Sequence, residues 1–428
     1  MSLAKKLIQI VKIRELRNSI LFVLGILVIF RFAAHIPLPG VDRVNLELFF
    51  SGNEIFGLIN IFSGGAMESF SVVALGIAPY ITASIIFQLL TLVVPRLEEL
   101  SKEGEQGRKK INQYTRLTTV PLAALQGFGL IRILQSQSAA VISPTITPYE
   151  MISMIVILTS GTIFLMWLGE LISERKIGNG ISILIFAGIV SAIPGALQTF
   201  LINFEPSQIQ NIVIFTGIAI LTIAAIVFIS EGQRNIPITY ARRIRGSQML
   251  GGTTAHLPLK VNQSGMIPII FAFSLILFPP LVAQFLIQAN SDFVVRAGNV
   301  ILRLFDPTHI FYITSFFFLV VGFTYFYTFV TFKPDNIAEN LQKQGAFIPG
   351  IRPGKNTEEY LNKIVSRIVL AGALFLGTVA LLPFIMQAAT GIGSVAISGA
   401  SLLIVVGVII EIQKQVNAQL VMRDYEGI

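Results

Sequence analysis

The residues able to do chemistry are few and scattered. The three histidines, His35, His256 and His309, lie far apart, and no two have the spacing that metal ligands on one turn or helix face need. There is no cysteine, which removes thiolate ligands, nucleophilic thiols and disulfides together. No phosphate-binding loop of the Gly-x-x-x-x-Gly-Lys type is present, and Gly178-Asn179-Gly180 is a short turn between apolar runs, not a dinucleotide fingerprint. Charged groups avoid the middle of every apolar run. Arg31 and Arg132 stand at the ends of two of them and Glu170 at the end of a third, where a long side chain can snorkel to water. An ion-coupled pump holds ionised groups at mid-span although each costs about 2.5–3.5 kcal/mol on insertion. This chain has no such relay. The residues imply neither a catalyst, a cofactor nor a metal, so energy for any work must come from a partner.

The elements that position these residues are apolar. Of 428 residues, 54% are hydrophobic and 13% charged, with a mean hydropathy of +0.76; a soluble domain carries about 25% charged residues. About 20 apolar residues cross a bilayer as a helix, and ten such stretches occur, at 19–36, 70–94, 117–134, 151–172, 179–200, 210–230, 264–287, 309–332, 366–386 and 395–412. They are too long, and lack the alternation, for barrel strands. Pro37-Leu38-Pro39-Gly40 after the first stretch is no signal cleavage site, so that stretch is read as a span. Before it, Leu3, Leu7, Ile10 and Val11 interleave with Lys5, Lys6, Lys12, Arg14 and Arg17, the pattern of an amphipathic helix on the membrane surface. With the N-terminus inside, 26 of the 31 Lys and Arg fall in cytoplasmic segments, which predicts both termini inside and accounts for the net charge of +8 without nucleic acid.

Three irregularities point beyond a plain bundle. Residues 52–70, GNEIFGLINIFSGGAMESF, are too short to span and too apolar for a free outer loop, which fits a re-entrant or interfacial segment. Gly76-Ile77-Ala78-Pro79-Tyr80-Ile81 and Gly265-Met266-Ile267-Pro268-Ile269-Ile270 both read G-x-x-P-x-I, each on the second helix of a five-helix half. One runs inward and the other outward, as an inverted repeat requires, with a pathway between the halves. Two long cytoplasmic loops, 231–262 and 333–363, carry Arg242, Arg243, Arg245 and Arg352 among Ile, Leu, Phe and Pro. They read as ordered docking arms for an acidic surface or ribosomal RNA phosphates, or as loops whose cations serve orientation alone.

The stretches FSGGAMESFSVVALGIAPYITASIIFQLL, SKEGEQGRKKINQYTR, GNGISILIFAGIV, TAHLPLKVNQSGMIPIIFA and GAFIPGIRPGKNTEEYL, in this order, resemble the SecY family of Sec translocon pore subunits from about residue 10 onward. The resemblance implies an all-α integral membrane fold of ten spans in two inverted halves. Residues 1–200 would hold spans one to five and residues 201–428 the rest. It implies a waist sealed by Ile77, Ile81, Ile185, Ile189, Ile270 and Ile404, where an aliphatic ring gates by dewetting. It makes residues 55–70 a plug, with Phe62, Ser63, Gly64 and Gly65 at its core and the two glycines giving freedom to move. A lateral gate would lie between spans two and three and spans seven and eight, with Gln88, Gln126 and Ser274 as polar members. Phe273 stands where the family carries a small residue.

The implied function is a protein-conducting channel that translocates unfolded secretory chains across a bacterial cytoplasmic membrane and releases transmembrane segments sideways. Implied partners are SecE-like and SecG-like subunits, the SecA motor ATPase or a translating ribosome at Arg242, Arg243, Arg245 and Arg352, signal sequences, and the lipid bilayer. Two other classes compete: a secondary transporter, which needs a polar midplane site, and a scaffold, which would never conduct.

Overall fold

The computed structural model describes residues 12–42, 44–46, 60, 63–135, 141–143, 146–202, 209–240, 243–245, 248–250, 254–287, 291–306, 309–390 and 399–426. The expected surface helix over residues 3–11 lies outside them. An apolar helix occurs in each of the ten expected spans. Among the described residues, seven helices are long and apolar enough to cross a membrane, or eight if one bent pair is counted as a span. Two shorter apolar helices, Gly180–Gly195 and Thr216–Glu231, fall at the fifth and sixth positions.

The first unit holds residues 1–209, 274–312 and 392–428. It starts with α1 (Arg14–Ala34); later in the chain come α2 (Ala78–Val93) and α3 (Pro95–Lys102). The second span begins later than its apolar run: residues 72–77 form turns, with Gly76 at φ +58°. It ends where Val94, held extended (ψ 109°) by the following Pro95, turns the chain by 100° into the polar α3. Next come α4 (Glu105–Gln135), α5 (Pro148–Glu174) and α6 (Gly180–Ile202).

A reciprocal cap starts α5. The Thr147 side chain accepts from the Glu150 N–H and the Glu150 carboxylate accepts from the Thr147 N–H, with Pro148 supplying the helical φ. Gly161 lets α5 lie against the backbone of Val72, where a Cβ would overlap the Val72 carbonyl. Around these helices Leu75, Phe70, Ile131, Leu134, Ile142, Met154 and Leu158 form a continuous core. Glu170 does not simply reach for water: Arg116 Nε of α4 pairs with its carboxylate at 2.5 Å.

The second unit holds residues 210–273 and 313–391. Within it α7 (Ile209–Glu231) leads into strands β1 (Gln233–Tyr240), β2 (Arg243–Arg245), β3 (Gln248–Leu250) and β4 (Thr254–Lys260). Then α8 (Ile267–Ile276) and α9 (Phe278–Leu286) share the seventh span. They part at Leu277 because Pro279 and Pro280 cannot donate to the carbonyls one turn back. Beyond them α10 (Asp292–Leu304), a helix in what the sequence presents as a connection, belongs with α9 to the first unit, and its Gly298 packs against Ile287 of that same unit. The second unit continues with α11 (Ile310–Thr331), α12 (Pro334–Lys343), β5 (Ala346–Phe347) and α13 (Lys355–Thr390), and the chain closes with α14 (Gly399–Glu426) back in the first unit.

The sheet is the fold's departure from a pure bundle. Strands run in the order β4-β1-β5, antiparallel, with Ile236 opposite Leu257 and Tyr240 opposite Ala346. The two long loops are thus one body and not separate arms. Alternation along β1 buries Ile236 and Ile238, and exposes Asn235 and Pro237. Pro237 is tolerated because β5 pairs only with Thr239 and Tyr240, so the strand is an edge where its N–H is missing. Ile236, Leu259, Ile348, Leu361, Ile364 and Val365 make the core beneath.

Candidate functional site

The six candidate waist residues come from four helix regions. Ile77 is the N-cap residue of α2, and the Ile81 N–H donates to its carbonyl at 3.1 Å, so the two share a helix face one turn apart. Ile185 and Ile189 repeat that spacing on α6, which packs against α14, the helix of Ile404. Ile270 lies on α8 in the second unit. Ile404 is fully buried, Ile77, Ile185, Ile189 and Ile270 are buried, and Ile81 is half-buried. Other apolar side chains on the spans behave otherwise: Phe228 is 77% and Phe318 65% exposed.

Phe62 falls outside the described residues. Ser63 is buried, its hydroxyl donating to the Asn60 carbonyl and accepting from the Met67 N–H at 3.1 Å. Gly64 and Gly65 take φ of +74° and +79°, the left-handed region that disfavours other residues. Gly64 is also a point of close approach. A Cβ there would stand 2.9 Å from Phe30 Cζ and 2.9 Å from Gly188 Cα.

At the candidate gate, Gln88 Nε2 donates to the Ser84 hydroxyl at 3.2 Å on its own helix, and its Oε1 is buried with no partner among the described residues. Gln126 is half-buried on α4, which packs against α2. Ser274 bonds a residue that sequence reasoning missed: its hydroxyl lies 3.2 Å from Thr82 Oγ1, joining α8 to α2. Thr82 directly follows Ile81, the last residue of the G-x-x-P-x-I repeat, and its hydroxyl on an otherwise aliphatic face was the available signal. Phe273 is buried within the second unit, edge-on to Phe316 at 6.4 Å, where an aromatic pair fills the volume.

Of the basic candidates, Arg242 lies outside the described residues. Arg243 and Arg245 are the ends of β2, opposite Leu250 and Gln248 of β3. Arg352 is exposed in a turn beyond β5, its carbonyl accepting from the Thr357 hydroxyl at 3.0 Å.

The SecY family model matches residues 71–413. The chain belongs to the SecY family. It is 44% identical to the protein translocase subunit SecY of Streptomyces scabiei, over 97% of both chains. It is also 44% identical to that of Halalkalibacterium halodurans, over 98% of both. Among solved structures it shares its fold with a SecY whose plug domain stabilises the closed translocation channel (TM-score 0.60, 19% identity, 93% of this chain and 91% of that one). The same holds for canine Sec61 in a ribosome–channel complex (TM-score 0.60, 15% identity, 93% and 91%). The SecY-family match contains every candidate waist and gate residue; Ser63, Gly64 and Gly65 precede it.

Proposed function

We propose that this SecY-family translocase subunit is the pore through which unfolded secretory chains cross a bacterial cytoplasmic membrane and from which transmembrane segments leave sideways. The observation that carries the reading is the burial of an aliphatic set, Ile77, Ile185, Ile189, Ile270 and Ile404, in a chain whose spans hold no ionised group at mid-depth. Such a surface dewets when empty and, being non-directional, closes around a passing chain of any sequence.

In this reading the halves are inverted repeats, both termini are cytoplasmic, and residues 55–70 are the plug. The Thr82–Ser274 contact is part of the gate between spans two and three and spans seven and eight. A hydroxyl pair between membrane helices is worth about 0.6 kcal/mol, weak enough for an apolar signal sequence to displace. SecE-like and SecG-like subunits complete the assembly. SecA or a ribosome supplies the energy at the two loops bearing Arg243 and Arg245, on the separate β2–β3 pair, and Arg352, beyond β5; support for the ribosome comes from the canine Sec61 complex.

The test is a photocrosslinker at Ile81 or Ile270 in membranes carrying a stalled secretory chain, with Phe318 as an exposed control. Adducts at the two isoleucines and none at Phe318 are expected. Equal adducts at all three, or none at the isoleucines, would overturn the reading. Planar-bilayer recordings after removal of residues 60–68 should show increased ion leakage.

A further inference from the structure

Arg31 lies in the last turn of α1. The sequence leads one to expect its guanidinium to snorkel outward. Instead Nη1 donates to the carbonyl oxygen of Gly64 at 2.5 Å, and the residue is half-buried. The acceptor belongs to the segment read above as the plug, at the point where Gly64 presses against Phe30, the neighbour of Arg31 on α1.

The far end of the same segment is fastened differently. Leu38 N–H donates to the Phe70 carbonyl and Val72 N–H to the Ile36 carbonyl, both at 2.9 Å, and Pro37 bridges Ser71. Ser69 Oγ adds a bond to the Ala34 carbonyl at 2.9 Å. Residues 69–72 are therefore tied mostly by backbone to residues 36–38 just after α1, with one hydroxyl bond to the end of α1 itself, whereas the hydrogen bond from α1 to the Gly64 end comes from a charged side chain. Backbone ties yield only if the chain itself parts, but a guanidinium can change rotamer or be drawn to another acceptor. The two ends differ in how they can let go.

We infer that Arg31 is the catch of this segment: its bond to the Gly64 carbonyl holds residues 63–67 against α1, and its release lets that end swing while residues 69–72 remain as the tether. Arg31 is a positioning residue in this scheme. The consequence for channel closure rests on the plug reading; the catch itself does not.

The chain has no cysteine, so Ala66→Cys, at a fully buried position, supplies a single reporter thiol. The full chain in membranes is treated with a maleimide, alone and combined with Arg31→Gln or Arg31→Lys. A hydrogen bond to a charged group is strong enough that Arg31→Gln should label about tenfold faster than the parent. Arg31→Lys, which keeps a cationic donor, should fall between. Equal rates for parent and Arg31→Gln overturn the inference. If Arg31→Gln fails to accumulate in membranes, the comparison passes to Arg31→Lys, where an unchanged rate overturns it equally. Bilayer recordings separate the two ideas. Faster labelling with no leak, and no leak after removal of residues 60–68, would keep the catch and remove the plug reading.

Discussion

Thr82 and Ser274 each bring one hydroxyl to an apolar helix contact, and the 3.2 Å between them is the polar tie between α2 and α8. Thr82 Oγ1 also lies 3.0 Å from the Ala78 carbonyl, so it can donate along its own helix and accept from Ser274. Thr82→Val keeps the shape and removes the acceptor. If the contact restrains the gate, the substitution should favour opening by about 0.6 kcal/mol, near threefold. Export of a reporter with a shortened, weakly apolar signal should rise accordingly; unchanged export would show that the pair restrains nothing. Gly64 supports a second expectation at this scale. Alanine there meets both a left-handed backbone, at about 1–2 kcal/mol, and the close approach of Phe30 and Gly188. Gly64→Ala should therefore loosen the segment and speed labelling of Ala66→Cys. Residue types were legible in the sequence here but pairings were not. Arg31 reads as a snorkelling cation because its acceptor lies 33 residues away, and nothing in the local pattern names it.

The spans were legible as elements because apolar length is a local property, while their ends and breaks were set by single residues. Pro95 stops α2, and Pro279 with Pro280 divides the seventh span. The sheet was hidden for the opposite reason. Its strands come from two loops far apart in sequence, β5 contributes only two residues, and Pro237 inside β1 argues against a strand unless its unpaired edge is known. The core under the sheet makes a direct test. Ile236 is buried against Leu259, Ile348 and Leu361, and Ile236→Ala should cost about 2–5 kcal/mol of local stability. Limited proteolysis should then cut both 231–262 and 333–363 faster; if only the first becomes sensitive, the loops are not one body.

Across the whole molecule, the two compact units draw on separated stretches of chain, so their membership records tertiary contacts that no run of residues encodes. Ten apolar spans and a cationic bias toward one set of loops were enough to class the chain as a multi-pass membrane protein, and its motifs to suggest the family; which side chains meet was not legible. Arg352 is exposed beside the sheet, and Arg352→Glu should impair translocation while leaving the chain's own membrane insertion intact. Normal SecA-driven export by that variant would detach this surface from the motor. Because β1 continues from α7, β4 leads to α8, and β5 sits between α12 and α13, the strands gather these helices onto one handle. A push delivered anywhere on that handle is shared among its attached helices as a common load, including the one that carries Ile270. If the helix of Ile270 lines the pore as proposed, a motor gripping that handle would act on the pore without entering it.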